Sequence, residues 1–149
     1  MKRYVGCKEI KAQPMNRGEY NRYRGWAIPA GENPEDEGYL VKYSDGYESW
    51  SPKKQFDEAY RECGETPEQD LAFTAIGMLS QSYKERFRAE YHQAVIRFGK
   101  LNEMLRKWDQ DQLNFEPTCP RSTYNMQLRA MADYIAVLEA RAVMEDISL

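Results

Sequence analysis

Between Ile76 and Trp108, ten apolar or aromatic residues recur at steps of three and four: Ile76, Leu79, Tyr83, Phe87, Tyr91, Ala94, Phe98, Leu101, Leu105 and Trp108. A helix puts such positions on one face, because 3.6 residues complete a turn. Thr66 as cap, Pro67 at the first helical position and Gln69 three residues after the cap mark where it would begin. The spacing predicts one helix of about 40 residues, ~60 Å long, twice the ~30 Å diameter of a compact domain of this size. Gly77 and Gly99 weaken it by about 1 kcal/mol each. "DQDQLNFEPTCP" interrupts the pattern. A second helix is expected from about Pro120 or Ser122 to the end, with Tyr124, Leu128, Met131, Ile135, Leu138 and Ala142 on one face. Met126, Ala130, Val137 and Met144 form an extra apolar line. The two helices make an antiparallel hairpin. Neither can cover the other's apolar surface, so the hairpins are expected to associate into a homo-oligomer. The alternative is that the first half of the chain folds back over the exposed stripe.

The first 62 residues read differently: short, aromatic and rich in turns. "YVGCKEIKA" reads as a strand ended by Gln13-Pro14. Asn16 caps a short helix, with Glu19 as its reciprocal partner. "IPAGENPEDEG" is an acidic loop. Asp45-Gly46 signals a hairpin. A two-residue turn there sets Val41 opposite Trp50 and Tyr43 opposite Glu48. Tyr39, Val41, Tyr43 and Trp50 then share one side, with Leu40, Lys42 and Tyr47 on the other. Ser51 as cap and Pro52 at the first helical position open another helix. The expected fold class is α+β: a small hairpin and sheet module with short helices over residues 1–62, then a long two-helix hairpin over 66–149 that oligomerises.

Composition narrows the chemistry. A net charge of -3 and a pI near 5.3 argue against a general binder of long nucleic acid. No apolar run approaches the ~18 residues of a membrane span. Cys7, Cys63 and Cys119 form no C-x-x-C pair and read as free thiols of a cytosolic protein. With His92 the only histidine, no metal site and no cofactor are expected. No nucleophile elbow, phosphate loop or zinc-protease motif occurs, so the chain does not read as an enzyme.

Binding features are better represented. "RGEYNRYRGW" gathers Arg17, Tyr20, Arg22, Tyr23, Arg24 and Trp26; arginine forks suit phosphates and aromatic faces suit bases. Met78 to Trp108 carries seven Lys or Arg against three Glu. Arg86, Arg97, Lys100 and Lys107 fall within about a quarter-turn beside the apolar stripe. Each feature also has a plain structural reading, as core aromatics and solvated charge.

"KRYVGCKEIKAQPMNRGEYNRYRGWAIP" and "DEGYLVKYSDGYESWSPKKQFDEAYR" resemble an N-terminal module of tailed-bacteriophage proteins. In those it is joined to other small domains, including an anti-Thoeris sponge domain that sequesters a cyclic ADP-ribose signal and is absent here. "KLNEML", "LNFEPTCP" and "QLRAMADYIAVLEARA" resemble a family of small phage helical proteins. The hairpin plan is similar to that of phage sponges against cyclic-nucleotide (CBASS) and Thoeris signalling, without their motifs, so no site residue carries over. The resemblance implies a phage accessory protein in the host bacterial cytoplasm that binds a small nucleotide signal without cutting it. The candidate ligand residues are Arg17, Tyr20, Arg24, Trp26, Tyr47, Arg97 and Lys100. The alternatives are a phage adaptor whose hairpin binds and inhibits a host protein, and a phage enzyme of nucleotide metabolism.

Overall fold

A computed structural model describes residues 1–3, 6–63 and 70–149. Three strands and five helices form among them, an α+β chain. It separates into two compact units, Met1–Glu62 and Cys63–Leu149.

In the first unit a three-stranded antiparallel sheet has the order β1 (Lys11–Pro14), β2 (Gly38–Lys42), β3 (Glu48–Pro52). Helix α1 (Arg17–Arg24) starts at the capping box of Asn16 and Glu19 and ends at Gly25, whose φ of +69° suits a residue without Cβ. The acidic loop lies on this helix. Arg17 N–H donates to the Asp36 carbonyl at 2.9 Å and Gly18 N–H to that of Pro34 at 2.8 Å. A Cβ on Gly18 would stand 2.8 Å from Pro34 Cβ.

Three local expectations need correction here. The first strand occupies only Lys11–Pro14; Tyr4 and Val5 lie outside the described residues. The hairpin register slips by one. Tyr43 N–H bonds the Tyr47 carbonyl at 2.9 Å and Gly46, at φ +85°, donates to Tyr43 at 3.0 Å, closing a three-residue loop. Leu40 therefore opposes Trp50 and Lys42 opposes Glu48. Because directly paired residues share a face, Trp50 joins Leu40 rather than Tyr39, Val41 and Tyr43, and Tyr47 joins Tyr43. Third, Ser51 belongs to β3 and Pro52 takes the cap position of α2 (Lys53–Ala59), so the helix begins one residue late. Val41 is fully buried, and Tyr39 stacks on Phe56 of α2 at 3.9 Å between ring centres. Trp50 donates its indole N–H to the Met15 carbonyl at 2.8 Å.

In the second unit the single 40-residue helix is replaced by two. The start at Thr66 falls outside the described residues. Helix α3 (Leu71–Met78) is capped by Asp70, and α4 (Tyr83–Asp109) by Ser82, which accepts from Glu85 N–H. Arg86 stabilises the break between them, donating to the carbonyls of Ser80 at 2.8 Å and Gln81 at 2.9 Å. The chain reverses, and α3 packs along α4. Gly77 meets Ala89, and Gln93 donates to the Thr74 hydroxyl at 3.2 Å. At 100° per residue Ala89 and Gln93 lie off the apolar stripe, so α3 packs on a different face of α4 from the one that carries Phe87, Tyr91 and Ala94.

Helix α5 (Arg121–Met144) returns antiparallel along α4 and stops five residues before the end of the sequence. Phe87, Leu138, Ala142 and Ile147 form the core, flanked by Tyr91 and Ala94. Burying each large apolar side chain contributes about 1.5–3 kcal/mol. Polar pairs flank this core: Tyr91 donates to Glu139 at 3.1 Å, and Tyr134 bonds Glu90. Beyond α5, Lys84 and Arg88 hold the carbonyls of Asp146 and Ser148 at 2.8 and 2.6 Å, seating Ile147. No helix among the described residues is long and apolar enough to cross a membrane.

Candidate functional site

The second unit has a groove of about 560 Å³ where α4 runs into the loop that leads to α5. That volume suits a small molecule. Gly99, Lys100, Glu103, Met104 and Lys107 line it from α4, and Gln112, Leu113, Asn114 and Phe115 from the loop. On the helix, positions 100, 103 and 107 are one and two turns apart and so face the same way. Gly99 has open space where a side chain would stand.

The loop side is placed by the end of α4. Gln112 N–H bonds the Lys107 carbonyl at 2.8 Å and Asp111 N–H bonds that of Trp108 at 3.0 Å. Asp111 between them has φ +53°. These two bonds and one left-handed residue make a Schellman ending, which satisfies the last carbonyls and turns the chain back. Arg121 then holds Asp109 through bonds of 3.2 and 2.9 Å, and Trp108 meets Tyr124 edge-on at 5.9 Å. Phe115 is left 53% exposed at the groove.

The charges are unequally committed. Arg106 grips Glu103 with two bonds, of 2.8 and 2.7 Å, and holds its carboxyl below the usual range; Lys107 adds a weaker contact at 3.7 Å. Among the described residues Lys100 makes no hydrogen bond or ion pair. The groove therefore offers one free ammonium, a second held only loosely, two side-chain amides and an aromatic face. That combination can take an anionic ligand carrying a flat ring.

The other sequence-derived residues lie elsewhere. Arg97 is exposed on α4 one turn before Lys100 and does not line the groove. In the first unit Arg17 is engaged by Glu32, from Nε at 2.7 Å and from its second nitrogen, and lies 5.0 Å over the Trp50 ring. Glu32 also accepts from Asn21, and the Arg17 bonds hold its carboxyl below the usual range. Tyr20 is buried, 3% exposed, with Trp26 edge-on against it at 5.9 Å. Arg24 sits 4.9 Å over the half-exposed Trp26. Tyr47, exposed at the hairpin tip, stacks on Tyr43 at 5.7 Å. Arg24, Trp26 and Tyr20 thus come together, while Arg17 is already spent on an ion pair. Among the described residues no three His, Cys, Asp or Glu gather where a metal could bind.

Residues 81–144 match the family model described as Sequestin. The matched span is less than half of the chain, but it contains α4 and α5 entire and every residue of the groove. No curated protein and no solved structure matches the chain. Lys100 is the one groove residue among the sequence-derived candidates. Phe115, Gln112 and Asn114 were missed, although "LNFEPTCP" had already marked their loop.

Proposed function

We propose that this is a phage counter-defence protein that binds a nucleotide-derived immune signal and sequesters it without catalysis. The observation that carries the reading is the groove inside the Sequestin-matched span, with Lys100 free and Phe115 exposed beside it. The family's name denotes sequestration and does not say of what. The chemistry of the lining supports a phosphate-bearing ligand with a flat base.

Lys100 and Lys107 would neutralise phosphate oxygens as point charges, each charge-assisted bond being worth about 1.5–3 kcal/mol. Phe115 would stack on a base, worth about 1–3 kcal/mol. Gln112 and Asn114 each offer a donor and an acceptor to a base edge or a ribose hydroxyl. Glu103, tied to Arg106, would keep its charge from repelling the phosphates. A sponge needs to hold its ligand and does not need to transform it.

Isothermal titration with a panel of cyclic nucleotides and ADP-ribose isomers tests the reading. Heat of binding that disappears in the Lys100→Ala, Lys107→Ala double variant supports it. Silence across the panel from folded protein would remove it.

A further inference from the structure

Helix α5 has a second apolar face. Met126, Ala130, Asp133, Val137, Ala140 and Met144 follow one another at steps of four, three, four, three and four, a heptad seam. At 100° per residue they cluster about 160° from the face that packs on α4. Met126, Val137 and Met144 are 70%, 55% and 82% exposed. Ala130 and Ala140 are exposed too. Single apolar residues on a surface are ordinary. Five of six heptad positions in one helix are a coiled-coil seam lacking its partner.

The seam itself indicates what covers it. Read in either direction its size order is nearly the same: Met, Ala, Asp, Val, Ala, Met. Its spacing is also the same in either direction. A two-fold axis across the middle of α5 therefore places Met126 on the partner's Met144 and Ala130 on the partner's Ala140. Asp133 then lies beside the partner's Val137. Such self-complementarity is what an isologous interface requires. A parallel pair would put the two Asp133 carboxylates in one layer, and like charges there repel; the antiparallel pair separates them by four residues, about 6 Å along the axis.

We propose that α5 pairs antiparallel with α5 of a second copy of this chain through that seam. The pairing does not depend on the ligand groove. A seam about 27 Å long and one helix wide is at the small end of stable interfaces, so pairing belongs to the micromolar range.

Sedimentation and directed cross-linking test it. The particle should weigh 17.5 kDa at low micromolar concentration and approach twice that at high micromolar. Val137→Glu, at an exposed position, should weaken pairing by roughly tenfold or more while leaving the circular dichroism spectrum unchanged. For register, the exposed Cys7, Cys63 and Cys119 are first replaced by Ser. Chains carrying Ala130→Cys should then cross-link to chains carrying Ala140→Cys, and neither to itself. A monomer at high micromolar concentration, pairing indifferent to Val137→Glu, or self-cross-linking by Ala130→Cys alone would each overturn the proposal; the first would leave the face to a helix of some other protein.

Discussion

Gly77 of α3 lies so close to Ala89 of α4 that a methyl group on the glycine would stand 2.8 Å from the alanine Cβ. Side chains do not pack at that separation, so the approach of these helices depends on the missing atom. Gly77→Ala gains about 1 kcal/mol of helix propensity and loses about 1–3 kcal/mol to overpacking. The net effect on denaturant unfolding should be neutral to destabilising, and Gly77→Val clearly destabilising. Adding Ala89→Gly to Gly77→Ala should recover part of the loss, since it reopens the same space.

The break that makes this contact possible was hard to see beforehand. Apolar steps of three and four continue through Leu79 and Tyr83 without a gap, so periodicity alone joins α3 to α4. The local signal was Ser82 with Glu85 three residues on, a helix start inside an apparent helix. The cap of α1 was legible because Asn16 and Glu19 satisfy each other within one turn. The hairpin was legible and its register was not: a glycine with positive φ fits both a two-residue and a three-residue loop, and which one forms depends on pairing across the whole sheet.

Asp111 closes α4 in a conformation that costs most side chains about 1–2 kcal/mol. Asp111→Gly should raise the unfolding midpoint or leave it unchanged. Asp111→Val should lower stability by about 1–2 kcal/mol and, by loosening the turn, weaken ligand binding as well. Thermal melts paired with titrations separate these effects.

Glu32 holds Arg17 and Asn21 in the first unit, and the Arg17 bonds lower its pKa. A carboxylate depressed in the folded state contributes stability above its unfolded pKa and loses it as pH falls through the folded pKa. The hydrogen-exchange protection of the Gly18 amide, bonded to Pro34 in the loop that carries Glu32, should therefore decline below the normal carboxylate range. In Glu32→Gln it should be lower at neutral pH and nearly flat toward acid. Arg17 and Glu32 are 15 residues apart, so this pairing, which removes Arg17 from the ligand candidates' free charges, was not readable from local sequence.

Phe115 should matter to binding and little to folding, because it is half exposed. Phe115→Ala should lower affinity by about 1–3 kcal/mol, the worth of one stacked base, with an unfolding midpoint close to wild type. Phe115→Trp should retain binding. Lys100 was visible in the sequence as part of a basic helix edge, whereas Phe115 sits in an acidic, proline-containing loop. Only the turn at Asp111 brings the two to one groove.

The most direct test is to incubate the protein with the nucleotide panel, remove unbound material, denature the complex and weigh what is released by mass spectrometry. A phosphate-bearing nucleotide at unchanged mass is expected, absent from the Lys100→Ala, Lys107→Ala variant. Folded protein that releases nothing, or a ligand returned with altered mass, would contradict it.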